Sequence, residues 1–248
     1  QEQAQITASE QRLEDARKLT RDNPAAVANI VKAWLNGEAP GTLARATAAA
    51  GVRIVQISTD YVFAGDASEP YVESSPTGPN SAYGRTKLAG EEAVAAGNPD
   101  HLIVRTAWLF GLHGKNFVDT MLRLGAERDE VRVVDDQLGC PTWAGHLAPA
   151  IVTLAAREGT GIFHAAGGGS CTWFELAREA LAAAGSSCRV EPTTTDEFPR
   201  PAPRPAYSVL ATERGEDGVV LPPWRDGLAG YLAERAIFDA RTTAGGPR

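Results

Sequence analysis

From residue 40 onward, short runs rich in Val and Ile alternate with longer stretches of helical periodicity. This alternation constrains the fold more than any other feature. "VRIVQIS" at 52–58, "HLIVRTAWLFG" at 101–111, "VRVVDDQLGCPT" at 131–142, "GIFHAAGG" at 161–168 and "CRVEPTTTDEF" at 188–198 read as strands, two of them with attached loops. Between them lie helical stretches: "PGTLARATAAAG" from residue 40, about 81–96, "NFVDTMLRLGAER" from 116, "WAGHLAPAIVTLAAREG" from 143, and 173–184. Thr172-x-x-Glu175 is a capping box for the last of these. Repeated β-α units argue for a parallel sheet covered by helices. A Pro-rich stretch, "FPRPAPRPAYSVL" at 198–210, is too short to link large domains and is expected to wrap a site.

The first 38 residues have a different texture. Thr7-x-x-Glu10 opens a charged helix running to about Asp22, and Asn23-Pro24 stops it and caps a second. Val27, Ile30, Val31, Trp34 and Leu35 then form a full apolar stripe, ended by Gly37. The expected organisation is a helical hairpin over 1–38, an α/β domain over 39–236 and a frayed tail over 237–248.

The net charge of -7 and the absence of a Lys/Arg run argue against a nucleic-acid surface, while a few local arginines can still serve a small anionic substrate. Cys140, Cys171 and Cys188 match no metal or disulfide spacing and read as structural thiols of a reducing compartment. No run approaches the roughly 18 apolar residues of a membrane span. The polar, acidic start is no signal peptide, so a cytoplasmic location is expected.

The chemistry concentrates in two places. The strand at 54–57 ends abruptly in Ser58-Thr59-Asp60-Tyr61, and a Pro/Gly loop later comes Tyr83-Gly84-Arg85-Thr86-Lys87. A Tyr and a Lys four apart share one helix face. An ammonium near a phenol favours the phenolate, and a phenol so tuned can exchange a proton with a carbonyl or alcohol. Thr59 could hydrogen-bond the same oxygen. Together these suit hydride transfer to a ketone from a nicotinamide. Tyr-x-x-x-Lys alone is a weak signal, and its position after the polar strand end strengthens it. Asp135-Asp136 reads as a turn organiser, and the four histidines lack ligand spacing, so no metal site is expected.

From about Asn36 to Glu234 the chain resembles the dTDP-4-dehydrorhamnose reductases, which are extended short-chain dehydrogenases. The resemblance rests on "STDYVFAGDASEPYVE", "AYGRTKLAGE", "VRTAWLFG", "GKNFVDTMLRL", "VVDDQLGCPTW", "GIFHAAGGGSCTWFELARE" and "PRPAYSVL" in that order. It implies NAD(P)H-dependent reduction of the C4 ketone of dTDP-4-dehydro-L-rhamnose to dTDP-L-rhamnose. Thr59, Tyr83 and Lys87 would be catalytic, with Lys87 and Tyr83 also meeting the cofactor. Asp60, Tyr61 and Trp108 would contact the sugar nucleotide. Asn116, Arg204 and Ser208 would serve its diphosphate and nucleoside end, where a guanidinium suits phosphate oxygens. "STDYVF" and "RPAYSVL" look more like these reductases than like the dehydratases and epimerases of the superfamily.

Against that family, a Gly-x-x-Gly-x-x-Gly turn and roughly the first three β-α units have no counterpart in these residues. "GGG" at 167–169 comes too late to be that turn. The implied fold is an incomplete doubly wound, Rossmann-like parallel sheet with helices on both faces, plus the N-terminal hairpin. The strand at 52–57 is then expected to carry an unpaired edge. NADPH or NADH is the implied cofactor, with weak binding expected where the phosphate cradle is missing. "LEDARKLTRDNPAAVANIVKAWLNGE" resembles the C-terminal tail of the flagellar MS-ring protein. The alternative is therefore an inactive scaffold or regulatory module docking through the hairpin, with a homodimer or a helix-docking protein as partner.

Overall fold

The computed structural model describes residues 40–198 and 202–243. The hairpin expected over 1–38 lies outside the described residues. Helix α1 (Pro40–Ala49) has proline in its first turn, and Gly51 after it takes φ +63° to turn the chain into the first strand.

Three parallel strands form the central sheet in the order β1 (Ile54–Thr59), β2 (His101–Thr106), β7 (Gly161–His164). Side chains alternate between its faces. Ile54 and Ile103 point to the face covered by α1 and α2 (Ala82–Gly97), where they meet Ala44 and Val94. Leu102, Val104 and Phe163 point to the other face and pack on Leu147, Ala150 and Leu154 of α4 (Ala144–Ala156). Helices thus cover both faces. Among the described residues β1 pairs only with β2.

The rest of the chain builds a second layer beside the carboxyl ends of these strands. The run 101–111, read as one strand, breaks at Trp108, whose φ of 45° turns the chain out of β2. It continues as β3 (Leu109–Phe110), which pairs with β6 (Thr142–Trp143). Asn116 caps α3 (Phe117–Glu127), accepting the Asp119 N–H at 2.9 Å. β4 (Glu130–Val134) pairs in parallel with β9 (Arg189–Thr193), and β5 (Leu138–Gly139) pairs antiparallel with β8 (Cys171–Thr172). These pairs stand apart from the central sheet. α5 (Trp173–Ala183) starts with the expected Thr172/Glu175 capping box. α6 (Trp224–Thr243) runs well past residue 237, where a tail was expected. Before that stretch it is anchored by Arg235, which pairs with Asp119 of α3 at 2.5 Å.

One buried ion pair ties α2 to the sheet. Arg105 of β2 meets Glu91 of α2 with Nη2–Oε2 at 2.7 Å and Nε–Oε1 at 3.0 Å, and the two side chains are 2% and 3% exposed. The guanidinium also lies over the Phe63 ring, 5.0 Å from its centroid. Breaking a buried pair leaves an uncompensated charge. Glu91→Ala should therefore cost about 3–5 kcal/mol of unfolding free energy. Pairing Glu91→Leu with Arg105→Met should recover most of that loss, which urea denaturation monitored by far-UV dichroism can measure.

Candidate active site

The polar strand end is built from local geometry. Thr59, with extended φ -142°, caps a short 3-10 turn over Asp60–Val62 and accepts the Tyr61 N–H at 3.2 Å. Its hydroxyl donates to Asp60 Oδ1 at 2.8 Å. Asp60 is 2% exposed. Burial pushes its carboxyl up to about 6, against opposing hydrogen bonds from Ser208 and Thr59. Burial also raises the Tyr61 phenol, and the Asp60 charge adds to the shift while Arg204 opposes it.

Tyr83, Lys87 and Glu91 follow one another at four-residue spacing on α2, so they share a face. Glu91 anchors that face to Arg105 in the core. Lys87 Nζ donates to the Ile57 carbonyl of β1 at 2.5 Å. Partial burial lowers its ammonium, and nearby Glu91 counters the shift. Tyr83, at the outer end of the row, is 54% exposed and meets Tyr61 edge-on with ring centroids 5.8 Å apart. The approach of the helix depends on Gly84. A Cβ there would lie 2.1 Å from the Tyr61 carbonyl oxygen, so a side chain would push α2 off the strand end.

A cleft of about 910 Å³ opens beside this point. Thr59, Asp60 and Tyr61 line one part, and Trp108, Asn116 and Arg204 line others. The Pro-rich strap brings Arg204 there, held where Tyr207 N–H reaches the Gly65 carbonyl at 3.1 Å and Leu138 N–H reaches that of Ala206 at 2.8 Å. Asn116 is both helix cap and cleft wall. Ser208 is placed differently from the expectation. It is 1% exposed, its hydroxyl lies 3.5 Å from the Leu138 carbonyl, and it does not line the cleft. Its backbone N–H is pulled inward by the Leu138 carbonyl at 2.8 Å.

Several cleft residues escaped the sequence reading: Lys115, Arg128, Arg132, Gln137 and Trp173. They come from elements that meet only in the folded chain, and no spacing marks them. Trp108 and Trp173 stack with centroids 3.5 Å apart and planes within 5°. Asp135 accepts from Thr172 Oγ1 at 2.6 Å, and Asp136 accepts from Thr195 N and Oγ1 at 2.8 and 2.7 Å, so the pair ties together segments distant in the chain instead of organising its own turn. Among the described residues no three His, Cys, Asp or Glu side chains gather as a metal site. Cys140, Cys171 and Cys188 are free and buried, and burial pushes the Cys140 thiol up to about 11.

A nicotinamide cofactor fits this arrangement in part. Tyr83 presents an exposed phenol and Lys87 an ammonium beside the strand end, which suits the nicotinamide ribose. The pattern Gly-x-x-Gly-x-x-Gly does not occur in the 248 residues.

The family model for the RmlD substrate binding domain matches residues 22–237. The chain belongs to the RmlD substrate-binding domain family. That match takes in part of the N-terminal segment read as flagellar-like. A dTDP-4-dehydrorhamnose reductase of Streptomyces griseus is 49% identical over 203 residues, covering 78% of this chain and 67% of the relative. A probable dTDP-4,6-dihydroxy-2-methyloxan-3-one 4-ketoreductase of Streptomyces antibioticus is 48% identical over 202 residues, covering 78% of this chain and 66% of the relative. The crystal structure of a dTDP-4-dehydrorhamnose reductase from Bacillus anthracis in complex with NADP matches with TM-score 0.76 and 40% identity, over 79% of this chain and 70% of that one. The chain thus spans about two thirds of the length of the curated relatives it matches, 66% and 67%. The same α/β Rossmann-like arrangement is common to chain and neighbour.

Asp60 gives the strand end a pH signature. Its carboxyl rises from 3.8 to about 6 on folding, so the folded state holds the proton more tightly. Stability therefore falls as pH rises through that window, and the ionised carboxylate is a cost above it. Asp60→Asn keeps an acceptor for Thr59 and removes the ionisation. It should stabilise the protein by on the order of 1–3 kcal/mol at about pH 8, with the gain vanishing by about pH 4. Thermal unfolding of both proteins across that range checks the sign.

Proposed function

We propose that the chain carries the substrate side and the proton-transfer groups of an NAD(P)H-dependent reductase that converts the C4 ketone of dTDP-4-dehydro-L-rhamnose to the alcohol of dTDP-L-rhamnose. One observation carries this reading. Tyr83 and Lys87 are held on an anchored helix face against the strand end whose Thr59, Asp60 and Tyr61 line a cleft large enough for a sugar nucleotide, with Tyr83 reaching that lining through Tyr61. The names of the similar proteins support it.

In this reading the Tyr83 hydroxyl gives its proton to the C4 oxygen. The Thr59 hydroxyl turns its proton from Asp60 to the same oxygen, and Lys87 exchanges the Ile57 carbonyl for the cofactor ribose. A bound nicotinamide would supply the hydride. Asp60, Tyr61 and Trp108 hold the sugar. Arg204 is exposed at the cleft and suits a diphosphate oxygen pair. We place the protein in a reducing, cytoplasmic setting on the strength of its three buried free thiols. No helix among the described residues is long and apolar enough to cross a membrane.

The reading separates into two measurable halves. Calorimetric titration should show saturable binding of dTDP-L-rhamnose, and a folded sample that ignores it would sink the substrate assignment. Titration with NADPH, followed by reduced-nicotinamide fluorescence, should show no low-micromolar saturation, because this sequence contributes no phosphate cradle. A tight NADPH complex would show that the pyrophosphate is held by residues outside any Gly-rich turn.

A further inference from the structure

We propose that Trp173 and Gln137 are positioning residues that set the plane of Trp108 and through it the seat of the substrate's sugar. This rests on the sugar-nucleotide reading above.

The argument begins with backbone strain. Trp108 is the one non-glycine residue with positive φ among the described residues, at 45°. A bulky residue persists there only where its surroundings over-determine it. Two surroundings do so. The Trp173 ring lies parallel to the Trp108 indole at 3.5 Å. Gly139 of β5 leaves room for the same indole, since a Cβ at that position would come within 2.4 Å of it.

Trp173 is itself held. Its Nε1–H donates to Gln137 Oε1 at 3.1 Å, and Phe117 packs on it with centroids 4.5 Å apart. Gln137 is 5% exposed, and its amide donates to Thr195 Oγ1 at 2.9 Å. Thr195 is in turn fixed by Asp136. A continuous chain of contacts therefore runs from the turn after β9 to the indole of Trp108.

That indole borders the ketone end of the cleft. Thr106, two residues before it, pairs in register with Thr59. Trp108, Trp173 and Gln137 line the same cleft as Thr59 and Asp60, and the two tryptophans are half-buried. A stack made only for core packing would be covered, as Trp224 is at 2% exposure. Trp173 covers one face of the Trp108 indole and Gly139 lies against the ring, so the half-buried indole offers the cleft its apolar edge, and tilting that edge moves the sugar's C4 oxygen relative to Thr59 and Tyr83.

The test uses the whole chain and two probes, dTDP-L-rhamnose and dTDP alone, titrated by calorimetry. Trp173→Leu should weaken dTDP-L-rhamnose by about tenfold and leave dTDP within about twofold, because only the sugar seat is tilted. Trp173→Phe keeps a flat ring and should hold dTDP-L-rhamnose within about threefold. Gln137→Leu frees the Trp173 ring and should weaken dTDP-L-rhamnose as Trp173→Leu does. The parallel indole pair should also give an exciton couplet in far-UV dichroism, lost in both Trp173 variants. Equal loss of both ligands, or no loss of either, overturns the positioning role while the wild-type titration leaves the function standing. If the wild-type chain binds neither probe, the sugar-nucleotide reading falls and takes this inference with it.

Discussion

The pair between Arg105 and Glu91 sets what the rest of the site can do. It joins the middle strand of the sheet to the helix that carries Tyr83 and Lys87, and it does so where water cannot compete. A helix presents residues at four-residue spacing as a row, so fixing Glu91 fixes the direction of that row. Lys87 then falls on the backbone of β1, and Tyr83 falls at the open edge beside Tyr61. A surface pair would leave the helix free to slide or roll. The buried one trades desolvation for register, and the guanidinium's seat over Phe63 ties it to the turn that follows Thr59.

A second constraint acts on the far side of the cleft. The left-handed turn at Trp108 ends β2 and redirects the chain into β3, which belongs to the second layer. The cleft exists because the chain does not continue straight. Closing it from above is the strap that ends at Leu210, laced to the loop after β1 through Tyr71 N–H to the Val209 carbonyl and Ala211 N–H to the Tyr71 carbonyl, both at 2.9 Å. Tyr71 also gathers the Gly65, Asp66 and Ala67 N–H groups on its hydroxyl oxygen, at 3.0 to 3.2 Å. The loop read from its prolines and glycines as irregular is therefore pinned at both ends.

What the sequence disclosed follows this division between local and distant contacts. The Thr172/Glu175 capping box and the shared face of Tyr83 and Lys87 depend on three or four residues of spacing. Both were readable. The polar end of β1 was readable too, because a strand of Ile and Val cannot absorb Ser-Thr-Asp without a reason. The break at Trp108 was not, since "RTAWLF" continues the apolar run and its cause is a ring stacked on it from 65 positions away, at Trp173. Ser208 was misplaced for the same reason. Its neighbours Leu138 and Asp60 are distant in the chain, and the sequence around it speaks only of a Pro-rich loop. The last helix likewise takes support from Asp119, far upstream, through Tyr231 and Arg235.

The central sheet is graded along its length, and the gradient says where ligand chemistry belongs. Its amino-terminal half is Ile54, Leu102, Ile103 and Ile162, packed on apolar helices. Its carboxyl end holds Ser58, Thr59, Asp60, Arg105, Thr106 and His164, every one at most 7% exposed. Burying so many polar groups in one layer costs stability. Burial pushes Asp60 up to about 6 and pulls the His164 imidazole down, both toward the neutral form. The Ser58 and Thr106 hydroxyls have no hydrogen-bond partner among the described residues. A sheet selected for stability alone would not concentrate that cost at one end. Parallel sheets of this architecture present their ligands at the carboxyl ends of the strands, where loops diverge and leave a crevice. Here that crevice is the cleft of Thr59 and Trp108, so the least stable part of the core and the part with room for a substrate coincide.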